Sequence, residues 1–143
     1  MNSCIIYNSK TGNTKKIANS MAKSLQTEAY SVKDTIDLNN IDILFLGDGN
    51  YGGNCSAAMQ DFIDHKLSGT SIKHIILFGT YGGLTNAMQK MRKRLEALHL
   101  PVVPEEFGTK GRAWLFINMF YPNKHTLTEA ALFAKTIIKT YAQ

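Results

Sequence analysis

Cysteine is scarce: two in 143 residues, Cys4 and Cys55, in no metal-ligand spacing. No metal site is expected from them, and they read as free thiols of a reducing cytoplasm. The four histidines, His65, His74, His99 and His125, are scattered, and none stands at catalytic spacing from a carboxylate or cysteine. No catalytic residue is assigned. Long apolar runs are also missing. The longest, 113–117, continues only through Asn118 to Met119 and Phe120, far short of a bilayer span. No basic segment followed by an apolar one opens the chain, so no secretory leader is expected. A Gly-x-x-x-x-Gly-Lys-Ser/Thr loop is absent, which disfavours a nucleoside triphosphate. Negative charge is in deficit, eleven Asp and Glu against sixteen Lys and Arg, giving +5 and a pI near 9.2. The densest basic run is Lys90, Arg92, Lys93 and Arg94. It lies on a predicted helix whose other face is apolar, so it reads as a solvated helix face; no nucleic-acid motif accompanies it.

What is present is an ordinary globular composition, 44% hydrophobic and 19% charged, without repeat, linker or low-complexity segment. One domain over residues 1–143 is expected. The chain opens with an apolar run, Cys4 to Tyr7, then Asn8, Ser9, Lys10, Thr11, Gly12, Asn13 and Thr14, then a helical pattern from about Lys15 with Ile17, Met21 and Leu25 on one face. Strand, hydroxyl-rich loop and helix start make an anion site, because backbone N–H groups at a helix N-terminus converge on negative charge. Ser9, Thr11 and Thr14 add hydroxyls, and Gly12 lets the backbone come close. An ordinary N-capped helix is the plainer alternative.

Further along, Ala29 to Val32 reads as a short strand and Asp34 to Asn40 as a polar connection. Ile43 to Leu46 is a strand covered on both faces, ending in a glycine-rich loop from Gly47 to Asn54. Ala58, Met59, Phe62 and Ile63 mark a helix. Ile75 to Phe78 repeats the buried-strand signature and ends in Gly79, Thr80, Tyr81, Gly82 and Gly83. Met88, Met91, Leu95 and Leu98 outline an amphipathic helix, Pro101 to Pro104 opens a fifth strand, and Thr126 to Glu129 has the form of a capping box before a last helix with Ala130, Ala134, Ile137, Ile138 and Tyr141 inward. Strand and helix alternate about five times, which predicts a doubly wound α/β fold with a five-stranded parallel sheet in the order 2-1-3-4-5. Ligands of such sheets bind beyond the strand C-termini, where the loops after strands one, three and four converge.

The first loop, Ile5-Ile6-Tyr7-x-Ser9-x-Thr11-Gly12-Asn13-Thr14 followed by Ala18, resembles the FMN-phosphate loop of the flavodoxins, and the likeness covers nearly the whole chain at short-chain flavodoxin length. It implies that Ser9, Lys10, Thr11, Gly12, Asn13 and Thr14 hold the FMN phosphate. It implies that Gly49, Asn50, Tyr51, Gly52, Gly53 and Asn54 wrap the ring, with Tyr51 on its inner face and the Gly52 carbonyl accepting from the reduced ring. Gly79, Thr80, Tyr81, Gly82 and Gly83 then match the loop on the pyrimidine side. Two features depart from the family: Gly83 stands where an outer-face aromatic is common, and the chain is basic where flavodoxins are usually acidic. Trp114, Phe116, Phe120 and Tyr121 are candidates for a substitute lid, against the commoner role of core residues.

The function this implies is electron transfer: FMN held non-covalently, reduced by one redox protein and oxidised by an acceptor; the chain's own positive balance, not the family, points to acidic docking surfaces on those partners. The alternative on the same fold is an NAD(P)H-dependent FMN or quinone reductase, for which the open face above Gly83 speaks. A third class is an FMN-free module that binds another phosphate ligand or a protein.

Overall fold

Three apolar runs without polar alternation form the centre of one sheet: β1 (Ser3–Tyr7), β3 (Ile43–Gly49) and β4 (His74–Thr80). Such runs are stable only where both faces are covered, and Ile5, Ile6, Leu44, Phe45, Ile76 and Leu77 are all fully buried. The structure, a computed structural model, describes residues 1–10, 12–49, 54–80, 87–108 and 124–142. Within them, β2 (Ala29–Ser31) and β5 (Val102–Phe107) flank the centre, all neighbours are parallel, and the order is β2-β1-β3-β4-β5. This is the doubly wound order expected from the sequence.

Side chains alternate across each strand, so the sheet feeds two cores. On one face Ile5, Phe45, Ile76 and Phe78 pack with Ile17 and Met21 of α1 (Asn13–Ser24) and Ala130, Ala134 and Ile137 of the C-terminal helix α4 (Lys124–Tyr141). On the other, Ile6, Leu44, Leu46 and Leu77 meet Met59 and Ile63 of α2 (Ala57–Lys66) and Met91 and Leu95 of α3 (Ala87–Ala97). Fully burying such a side chain contributes about 1.5–3 kcal/mol. A seam of small residues lets α1 and α4 close on each other, and Ser20 Oγ donates to Leu127 O at 2.6 Å across it.

Four local expectations change. The glycine-rich stretch after Leu46 is not loop from its start: Gly47, Asp48 and Gly49 continue β3, in register with Phe78, Gly79 and Thr80. Glycine is needed at 47 because a Cβ there would stand 2.2 Å from the Phe78 ring. The connection expected over Asp34 to Asn40 holds, with no helix in 32–42, and Val32, Ile36 and Leu38 cover the sheet there. Leu98 lies past the end of α3 and is exposed. Helix α4 starts at Lys124, which places Thr126 inside its first turn, buried, so Thr126 to Glu129 is not a capping box.

The basic run on α3 is the fourth. Lys90 and Lys93 are solvated, but its arginines are clamps. Arg94 makes a two-pronged pair with Asp64 at 3.0 Å. Arg92 donates to the Val103 carbonyl at 2.7 Å and to Glu106 at 3.2 Å. The register of β5 slips between Ile75 and Leu77, around Pro104, so Arg92 serves a carbonyl in the stretch where the ladder is irregular.

Candidate functional site

The crossovers from β1 run to opposite sides, towards β2 and towards β3, and leave a crevice at the C-terminal edge of the sheet. Into it α1 opens on Gly12, whose φ of 91° is left-handed and whose missing side chain provides no cap. A Cβ at Gly12 would meet nothing within 4 Å, so its surroundings are open. Ser9 Oγ accepts the Gly12 N–H at 3.0 Å, which folds the loop back on itself and leaves the hydroxyl proton to donate. Thr14 and Asn13 are buried in the first turn, and that turn holds no carboxylate. The plainer alternative, a helix capped by a threonine or asparagine side chain, does not apply.

Beneath this loop lies a polar knot. Asp48, at the end of β3, is fully buried. Its carboxylate accepts the Ser56 N–H at 2.7 Å, the Gly49 N–H at 2.9 Å and the Asn8 amide at 3.5 Å. Asn8 also donates to Ser56 Oγ at 2.9 Å, and that hydroxyl accepts from Met59 N as the cap of α2. Burial pushes the Asp48 carboxyl up from its ordinary value, and the donors from Ser56, Gly49 and Asn8 pull it only part of the way back. The knot fixes three segments to one another: the residue after β1, the end of β3 and the start of α2. Sequence reasoning passed over Asn8, Asp48 and Ser56. The signal was there, since a charged residue following a run buried on both faces has to find partners.

Ser9, Lys10 and Asn54 come together along a cleft of about 670 Å³, with Asn8, Lys33, Cys55 and Ser56 in its wall. Asn54 turns its side-chain oxygen onto Cys55 N at 2.8 Å. Gly49 stands beside Thr80, and Gly79 beside Asp48, as strand neighbours. Gly108 approaches so closely that a Cβ on it would stand 2.3 Å from the Gly79 carbonyl oxygen. Thr11, Asn50, Tyr51, Gly52, Gly53, Tyr81, Gly82 and Gly83 lie outside the described residues, as do the lid candidates Trp114, Phe116, Phe120 and Tyr121.

Both cysteines are free and buried. Burial pushes each thiol up to about 11, with the Asp48 charge adding to the effect at Cys55. Two histidines do meet a carboxylate, His65 with Asp61 at 3.5 Å and His125 with Glu129 at 2.6 Å. Both are pairs one helical turn apart with the histidine exposed, and neither lines the cleft. Among the described residues no helix is long and apolar enough to cross a membrane.

Residues 4–113 match the family model of the flavodoxin domain. An uncharacterized protein of Methanocaldococcus jannaschii is 31% identical over 97% of this chain and 99% of its own. A flavodoxin-like domain-containing protein, BilS, of Clostridioides difficile is 37% identical over 57% of this chain and 48% of its own. Among solved structures, a flavodoxin from the Archaea superposes with a TM-score of 0.82 at 17% identity, covering 100% of both chains. A Fusobacterium nucleatum flavodoxin bound to flavin mononucleotide gives 0.70 at 17% identity, over 97% of this chain and 96% of the other.

Proposed function

The chain belongs to the flavodoxin family, and from that premise we propose that it binds FMN and carries electrons between redox proteins as a single domain over residues 1–143. The observation that carries this reading is the opening of α1: a left-handed Gly12 without a side-chain cap, in open surroundings, at the crevice between β1 and β3. These residues fit a phosphate. Backbone N–H groups and hydroxyls can surround it, and the positive end of the helix dipole faces it. In this reading Ser9, Lys10, Thr11, Gly12, Asn13 and Thr14 hold the phosphate, while Gly49 to Asn54 and Gly79 to Gly83 hold the ring. FMN supplies the reversible two-electron chemistry when bound. The chain's part is to hold it and to fix the loops around it, which the Asn8–Asp48–Ser56 knot does for two of the three. The two free, buried thiols agree with a reducing compartment, and the cytoplasm is the proposed location.

The test is a comparison of FMN with riboflavin. The purified protein should bind FMN far more tightly, because the first loop faces the phosphate. Thr14→Ala removes one donor to a dianion, which costs about 1.5–3 kcal/mol, so FMN affinity should fall roughly 10- to 150-fold while riboflavin affinity holds. Equal losses for both ligands would remove the phosphate assignment. With excess NADPH and a quinone, the FMN-loaded protein should show negligible steady-state turnover until a reductase is added. Sustained NADPH oxidation by the protein alone would place it with the reductases instead.

A further inference from the structure

The charge surplus of this chain is not spread over its surface. In a parallel sheet with crossover helices, helix N-termini and strand C-termini share one edge, which here is the edge of the candidate site. None of the four described helices has an acidic residue in its first turn, although that is where carboxylates are most favoured by the helix dipole. Instead Lys15 and Lys16 stand in the first turn of α1, Lys90 in that of α3 and Lys124 in that of α4, all exposed. Lys10 and Lys33 join them from the loops after β1 and β2, where both line the cleft. The described carboxylates near these six lysines at that edge are Asp34, exposed, Asp48, buried in the knot, and Glu129, half-buried and paired with His125 near the start of α4.

The opposite edge is balanced. Lys23, Lys66, Lys73 and Lys139 lie there with Glu28, Asp37, Asp42 and Glu96. Along the sides the positive groups are largely spoken for, Arg92 by Glu106 and Arg94 by Asp64. Among the described residues no carboxylate comes within ion-pair distance of Lys15, Lys16 or Lys33. A phosphate in the first loop offsets part of the surplus, about 1.5–2 charges, and leaves the edge positive.

We infer that this lysine-rimmed edge is the docking face for a redox protein that carries carboxylates around its own centre. The inference rests on the electron-carrier reading and gives it a partner chemistry. The face that surrounds the ligand crevice is the one that an incoming partner meets, and charges of opposite sign there raise the encounter rate and orient the complex. Lys15, Lys16 and Lys33 are the residues expected to steer, with Lys10 shared between rim and cofactor loop.

Two charged oxidants read the sign of that edge directly. The FMN-loaded protein is reduced with dithionite, freed of excess, and mixed with ferricyanide or with tris(phenanthroline)cobalt(III). Two equivalents are consumed per FMN; each metal complex takes one electron, and the protons leave to solvent. Ferricyanide, an anion, should react faster at low salt and slow as salt rises, whereas the cobalt cation should speed up. The triple variant Lys15→Glu, Lys16→Glu, Lys33→Glu should reverse both slopes and slow ferricyanide by about tenfold or more at low salt. The control Lys23→Glu, Lys66→Glu, Lys139→Glu has the same net charge on the opposite edge and should keep the wild-type slopes. If both triples behave alike, the effect is one of net charge and the docking face is wrong.

A second readout does not depend on FMN. Poly-L-glutamate titrated into the full ¹⁵N-labelled chain should shift amides around residues 9–16 and 32–34. Shifts centred instead on Lys23, Lys66 and Lys139 at the opposite edge would overturn the assignment. Should the protein fail to hold FMN, the carrier reading falls while this titration still decides the polarity of the edge.

Discussion

Asp48 is the most consequential side chain that the sequence reading left unassigned. A carboxylate held by two backbone N–H groups and an amide, with no cation among its partners, has a pKa raised by burial. In the unfolded chain its value is the ordinary 3.8. The folded state therefore keeps a proton that the unfolded state has already released, and Asp48's contribution to stability, full below pH 3.8, declines as pH rises through the folded value. Asp48→Asn removes that term and also puts an NH₂ where an acceptor was, an unpaired buried group costing about 1–3 kcal/mol. The second effect does not vary with pH, and the first does. In urea titrations the wild type's advantage over Asp48→Asn should be largest at acidic pH and shrink as pH rises. A constant difference from pH 3.5 to pH 8, a range chosen to bracket roughly the carboxylate values, would show that Asp48 is not raised. That Asp48 follows a buried run signalled a need for partners, but which partners it finds is decided by the fold, through Asn8 after β1 and Ser56 before α2.

Strand and loop boundaries were legible to the extent that they depend on local pattern. The apolar runs became β1, β3 and β4, and the periodic segments became α1 to α4, because burial on both sheet faces and on one helix stripe is written in side-chain period. Where a contact from another strand decides, the pattern misleads. Gly47 looked like loop material, yet it is a strand residue emptied of its side chain for the Phe78 ring, and this is open to test. Gly47→Ala puts a methyl 2.2 Å from that ring and should cost about 1–3 kcal/mol by overpacking. Phe78→Leu in the same chain should recover part of the loss, so the double variant is more stable than the sum of the singles allows. Strict additivity in denaturant midpoints would mean that the two residues do not compete for space. Arg92 is a similar case: its role follows from the β5 irregularity, which Pro101 and Pro104 hinted at without locating.

The arrangement of the whole chain was the easiest part to read, since alternating strands and helices with buried parallel runs admit few topologies. The candidate site was half legible. Ser9, Gly12 and Thr14 follow from the motif, whereas the knot and the lysine rim follow from folding. Clustering like charges has a cost that the net figure of +5 hides. Mutual repulsion along the ligand edge should depress the melting temperature of the FMN-free protein at low salt. Raising sodium chloride from about 0.01 to 0.2 M shortens the screening length from roughly 30 Å to under 10 Å, and the melting temperature should rise by a few degrees. Inorganic phosphate at the same ionic strength should raise it further by occupying the first loop. A melting temperature indifferent to both salts would argue that the rim is too diffuse to matter.

The seam between α1 and α4 sets the timetable on which this chain can mature. Ser20 finds Leu127 across 107 residues, so one side of the sheet has only α1 to cover it until the final helix has been made. Ribosomes add about 5–20 residues per second. For several seconds after β4 emerges, Ile5, Phe45 and Ile76 therefore present an apolar strip awaiting its last partner. The half of the core under α2 and α3 can assemble during that interval; the half under α1 closes late, in one step. A nascent chain stalled before Lys124 is thus the form in which this protein is most exposed to chaperones and to its own copies.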